Sequence, residues 1–216
     1  MNIKQNIDDY LNKRLPEERY TSFDYCFNYF RSFCEKNEIG EIASQQNIQM
    51  SCFQLGFYLA SWGMFRGSSF LIKKSVKHFE KLIRKISQRG QEYWEIDVDK
   101  YSDRNIELLL KLKWDIEHYL GETEERASST LATKIILGVF GSVPAIDQNV
   151  KNAFGINNFN KKALEKFIDF YKRNTSLIDS CKIKTLDFFT GKETERYYTK
   201  AKIIDMVGFI EGGKNL

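Results

Sequence analysis

Residues 129–150 read STLATKIILGVFGSVPAIDQNV, and three features of this stretch decide the fold class. From Leu131 to Phe140 the residues are mostly apolar, the pattern of a helix covered on more than one side. Gly141, Ser142, Val143 and Pro144 then break it, because glycine and proline both end helices. Asp147 follows as an N-cap. Its carboxylate is placed to accept the amide of Asn149 or Val150 and to start a short helix ending near Gly155.

The flanking sequence repeats this grammar. Residues 103–120 are strongly periodic at helical spacing. Ser68 or Ser69 is expected to cap one long helix to about Ser87, with Phe70, Ile72, Val76, Phe79, Leu82, Ile83 and Ile86 as its apolar face. Residues 50–62, MSCFQLGFYLASW, are almost wholly apolar and read as a central buried helix, interrupted by Gly63 to Gly67. Phe23, Phe27, Phe30 and Phe33 recur every three to four residues, an aromatic stripe that reads as core. Residues 3–15 form a short amphipathic segment closed by Pro16. On the other side, Asn160 caps a helix over 161–174 with Leu164, Phe167, Ile168 and Tyr171 inward. Residues 186–198 read as a small hairpin around Gly191. Residues 201–210 form a last apolar helix before a loose GGKNL tail. Only two prolines occur in 216 residues, which leaves long helices unbroken. The expectation is a mostly α, two-lobed multi-helix domain with a small β-hairpin near 186–198. It is a single domain over 1–216, with an N-terminal helical extension (1–44), a core (45–211) and a tail (212–216).

Composition removes several classes. No apolar run reaches the ~20 residues that span a bilayer, and residues 1–14 hold no apolar signal region. A cytoplasmic protein with no membrane association is expected. Cys26, Cys34, Cys52 and Cys181 show neither C-x-x-C spacing nor grouping with histidine, so no metal, iron–sulfur cluster, disulfide or other cofactor is expected. His78 and His118 are the only histidines, and they form no H-E-x-x-H motif and no Ser-His-Asp set. Thr190 to Thr194 resembles the end of a phosphate-binding loop, but Leu186 stands where its first glycine belongs, and a turn is the better reading.

Charge is uneven. The net charge is +4 and the pI near 8.7. Within residues 66–89 lie Arg66, Lys73, Lys74, Lys77, Lys81, Arg84, Lys85 and Arg89, with Glu80 the one acid. On a continuous helix Lys74, Lys77 or His78, Lys81 and Lys85 share a face that can track phosphates and release counterions. The bland alternative is a solvated lysine-rich face. Glu122, Glu124 and Glu125 gather before the helix starting near Ser128, where carboxylates suit the helix dipole.

Two breaks between buried helices are where clefts form. The first holds Trp62 and Arg66 between Gly63 and Gly67. Arg66 can bind phosphate bidentately and Trp62 can stack on a base, with Tyr58 one turn earlier. The plainer reading is a packed turn. The second holds Asp147. Tyr58, Trp62, Ser68 and Lys134 complete the cleft candidates.

Residues 129–150 resemble the core of the helix–hairpin–helix DNA glycosylase superfamily. There a T-A-x-x-(apolar)₃ helix runs to F-G, then proline, then an apolar-Asp-x-x-Val helix start. Asp147 falls on that aspartate. The chain also resembles bacterial proteins of unassigned activity carrying S-W-G-M-x-R-G-S-S and T-K-(apolar)₂-L-G-x-x-G-x-V-P-A-x-D. The glycosylase resemblance covers roughly residues 50–210 and implies DNA as partner. It also implies base excision with Asp147 as the catalytic carboxylate, which would stabilise positive charge on the sugar and orient the attacking water. Two departures stand out. The family's glycine hairpin is replaced by Gly121 and then ETEERASS. Thr130 occupies the place of the lyase lysine, with Lys134 one helical turn away, so a Schiff-base lyase is unsupported. The expected function is a nucleic-acid-binding protein of glycosylase-like fold using Arg66, Lys73, Lys74, Lys77, Lys81 and Lys85. The alternative is a non-enzymatic helical scaffold or partner-binding protein.

Overall fold

A computed structural model describes residues 1–121 and 127–214. Eleven helices and one two-stranded antiparallel sheet lie among the described residues. The helices are α1 (Ile3–Leu11), α2 (Ser22–Glu35), α3 (Ile48–Ser61), α4 (Glu80–Ile86), α5 (Gln91–Trp94), α6 (Asp103–Leu120), α7 (Ser129–Phe140), α8 (Gln148–Phe154), α9 (Lys161–Arg173), α10 (Thr175–Ser180) and α11 (Lys200–Gly213). Strands β1 (Lys184–Leu186) and β2 (Glu193–Tyr197) pair with Lys184 opposite Tyr197 and Leu186 opposite Glu193. The protein is thus mostly α with a small hairpin.

Capping sets most helix starts. Ser102, Ser128, Asp147, Asn160 and Thr199 each accept the amide three residues on, at the heads of α6, α7, α8, α9 and α11. That satisfies one of the amides a helix leaves open. Gly141 and Gly155 take left-handed conformations that close α7 and α8. From Leu131 to Phe140 every residue of α7 is buried. α7 packs against α2, α3 and α6, and α11 packs against α1 and α8. Residues 1–44 therefore supply core: Tyr10, Phe23, Phe27 and Phe30 are fully enclosed.

Two glycines let helices approach. A Cβ on Gly138 would stand 2.4 Å from Cε1 of Tyr58, so the Tyr58 ring is seated on the α7 backbone. A Cβ on Gly212 would lie 1.8 Å from the carbonyl oxygen of Asn149, which brings α11 onto the head of α8. The final helix accordingly runs through Gly213, two residues into the segment expected as a loose tail.

Residues 68–87 do not form one long helix. They make two 3₁₀ turns, Phe70–Lys73 and Val76–Phe79, and then α4. Lys74 and Ser75 between them are extended. The reason is tertiary. Val76 and Phe79 seat against Gly56 of α3, and Nε2 of His78 lies 3.0 Å from the carbonyl oxygen of Leu120 at the end of α6. These anchors pull the chain onto two neighbours at a pitch a regular helix does not match. Ser69, and not Ser68, caps the first turn by accepting the amide of Leu71. Ile72, expected inward, is exposed. Likewise α3 is buried on one side only. Leu55, Tyr58 and Leu59 face the core, while Met50, Phe53 and Phe57 face outward.

Candidate functional site

Asp147 is placed by the loop before it. The hydroxyl of Thr130 donates to the Ile146 carbonyl at 2.9 Å, and Thr133 Oγ1 accepts the Ile146 amide at 2.9 Å. Asp205 of α11 accepts the Ala145 amide at 3.0 Å. Fixed from both sides, Asp147 accepts the Val150 amide on Oδ1 at 3.1 Å and the Lys134 ammonium on Oδ2 at 3.1 Å. The Lys134 side chain is 5% exposed and that of Asp147 17%. The pair therefore sits at the edge of the core, where its attraction is less screened than on the surface.

Trp62 lies beside this pair. Lys134 Nζ is 5.1 Å from its ring centroid, Lys202 Nζ 5.8 Å and Arg19 Cζ 5.5 Å, so three cations approach one indole. Tyr20 and Phe209 meet the ring edge-on at 5.5 and 5.3 Å. Trp62 Nε1 is buried without an acceptor among the described residues. Lys202 donates to Asp205 at 2.9 Å and to the Tyr10 hydroxyl at 2.8 Å. Burial pushes the Tyr10 and Tyr58 phenols well above their ordinary range. Trp62, Lys134 and Asp147 thus come together. Arg66 instead is exposed and folds back over Gly63, which has a φ of +74°. Tyr58 is packed against α7, and Ser68 lies exposed in the turn.

A second buried cluster lies under the hairpin. Arg14 is 3.4 Å from Asp24, Tyr198 donates to Asp24, and Asp24 accepts the Leu186 amide at 2.9 Å. Burial pushes the Asp24 carboxyl up to about 6 against the pull of Arg14.

The basic segment is not one face. Lys77 and Arg84 both pair with Glu80, at 2.5 and 2.8 Å. Lys73 and Lys81 are exposed, and Lys74 is half-buried. Lys85 lies 5.4 Å from the Tyr119 ring centroid, and Arg89 pairs with Asp115. Both of these partners are on α6. On that helix Trp114, 58% exposed, stacks on His118 with ring centroids 5.1 Å apart and planes 5° apart. His118 in turn meets the edge of Tyr119 at 5.5 Å. Lys85, Tyr119, His118 and Trp114 thereby make one continuous run.

Sequence reasoning missed this run and the Lys202–Asp205 pair. The signals were present: Trp114 and His118 stand four apart on a periodic helix, and a Lys-x-x-Asp pair interrupts an apolar one. Gly121 to Ser129 was the place to look for a phosphate-binding turn. Its residues 122–126, including Glu122, Glu124 and Glu125, lie outside the described residues. Among the described residues no group of three metal-ligating side chains occurs, and no helix is long and apolar enough to cross a membrane. No family model, curated protein or solved structure matches the chain.

Proposed function

We propose that the protein binds nucleic acid on the surface where the basic residues 73–85 meet α6. The observation that supports it is the run Lys85–Tyr119–His118–Trp114, in which one ammonium and an exposed indole stand at the two ends of a row of aromatic rings. Cations neutralise phosphates, and an exposed aromatic face accepts an unstacked base at about 1–3 kcal/mol per base. Lys73 and Lys81 of the same segment are exposed. Arg66, at the turn before this segment, is exposed as well.

Base excision is the further step of this reading. Asp147 Oδ2 accepts Lys134 but keeps a second lone pair, enough to orient a water, and the carboxylate retains some exposure. A second reading, a helical module that binds a protein partner without catalysis, is favoured by a specific observation. Both Asp147 oxygens already have partners, and the basic segment is broken into pieces.

Anisotropy of labelled single-stranded, duplex and abasic duplex DNA, titrated over a salt series, separates these. With four to six phosphates neutralised, log K should fall against log[salt] with a slope of about −4 to −5 for duplex. Trp114→Ala should weaken single-strand binding about tenfold or more without changing the salt slope of single-strand binding. Tighter binding to abasic duplex, with base release abolished in Asp147→Asn, supports excision. No binding to any DNA at low salt removes the reading and leaves the partner-binding module.

A further inference from the structure

An apolar groove lies away from these residues. A groove of about 950 Å³ runs between α3, residues 16–25 and the hairpin tip, lined among others by Tyr25, Phe53, Phe57, Phe188 and Phe189. Phe53 is 47% exposed, Phe57 70%, Phe188 67% and Phe189 90%. Monomers rarely leave so many large apolar side chains together in water.

The walls are built in advance. Asp187 accepts the amides of Phe189 and Thr190 and the Thr190 hydroxyl, which fixes the turn that carries both phenylalanines outward. Phe188 packs edge-on against Tyr25 at 5.1 Å, and Tyr25 donates to the Pro16 carbonyl at 2.8 Å. On α3, Met50, Phe53 and Phe57 stand at i, i+3 and i+7, the stripe one helix presents to another.

The rim supplies the charge. Glu17 and Glu18 line the groove, both exposed, and neither has an ion pair among the described residues. Arg19 also lines the groove, but its guanidinium is turned toward the Tyr20 and Trp62 rings, so the two glutamates set the rim's charge. An acidic rim opposes a phosphate backbone or an anionic lipid surface and favours a cationic peptide.

We propose that this groove docks an amphipathic helix of a partner protein, with apolar anchors seated among Phe53, Phe57, Phe188 and Phe189 and a basic flank facing Glu17 and Glu18. The proposal does not depend on the nucleic-acid reading.

The test uses a labelled helical peptide of about 18 residues, with leucines at i, i+3, i+4 and i+7 and lysines at one end. A counterpart carries glutamates in place of the lysines. Anisotropy titrations against the full chain should show the basic peptide binding about tenfold tighter than the acidic one. Phe57→Ser, at an exposed position, should weaken binding at least about tenfold. The double variant Glu17→Lys, Glu18→Lys should reverse the preference. Equal affinity for both peptides, binding by neither, or indifference to Phe57→Ser would overturn the proposal. So would a concentration-dependent dimer in sedimentation that Phe57→Ser abolishes, which would assign the groove to a second copy of this chain. Loss of DNA binding in Phe57→Ser would assign it to nucleic acid instead.

Discussion

At the scale of single residues, Asp147 joins two structural tasks on separate oxygens: one caps α8 and the other holds Lys134. Removing the carboxylate loses the cap, worth about 1 kcal/mol. It also leaves a nearly buried ammonium without its partner, and breaking such a pair costs about 3–5 kcal/mol. Asp147→Ala should therefore destabilise by about 3–5 kcal/mol, read from urea denaturation followed by circular dichroism. The double variant Lys134→Met, Asp147→Ser keeps a capping oxygen and removes the buried charge. It should return to within about 1 kcal/mol of the parent chain. A loss under about 1 kcal/mol for Asp147→Ala would show that Lys134 finds another partner or water.

At the scale of elements, the contact between α8 and α11 rests on backbone approach at Gly212. A methyl there would meet the Asn149 carbonyl oxygen at 1.8 Å, so the helices must part. Gly212→Ala should cost about 3 kcal/mol, the upper end of ordinary overpacking, even though alanine favours helix. Gly40→Ala is the control, since nothing lies within 4 Å of a Cβ there. Thermal melts of the two variants check the difference. If Gly212→Ala melts with the parent chain, the close approach is not what seats α11. The basic segment makes a related point. Its turns follow the docking of Val76, Phe79 and His78, and the cations are displayed according to those anchors.

At the scale of the whole molecule, four ion pairs among the described residues are largely withdrawn from water: Arg14 with Asp24, Arg89 with Asp115, Lys134 with Asp147, and Lys202 with Asp205. Each pair balances in charge, and through the Tyr10 hydroxyl and the Ala145 amide the Lys202–Asp205 pair ties α11 to α1 and to the loop before α8. The acid side of this arrangement sets a pH dependence. Burial pushes Asp24 up to about 6, and it does the same to Asp97, which accepts the amides of Lys200 and Ala201 at the head of α11. Both lie above the ordinary carboxylate value of about 3.9. The folded state therefore binds these protons more tightly than the unfolded state. The stability they contribute is fully present below pH ~4 and is lost as pH rises through about 6. The urea midpoint should be higher at pH 5 than at pH 7, and Asp24→Asn should flatten that difference. A midpoint that rises from pH 5 to 7 in the parent chain and is unchanged in slope by Asp24→Asn would contradict it.

What the sequence by itself determined was local. The bounds of α6, the caps Asp147 and Asn160, and the hairpin around Gly191 were all legible. Helical periodicity and capping involve residues three or four apart, so the chain states them in one stretch. Tertiary structure alone decided which surfaces those elements share. It broke residues 68–87 into turns, left Phe53 and Phe57 in water, and brought Lys85 over Tyr119 of α6. It also gathered Arg19, Lys134 and Lys202 about Trp62. These contacts join segments far apart in the chain, and their cost or gain depends on burial and on partners that no local pattern encodes.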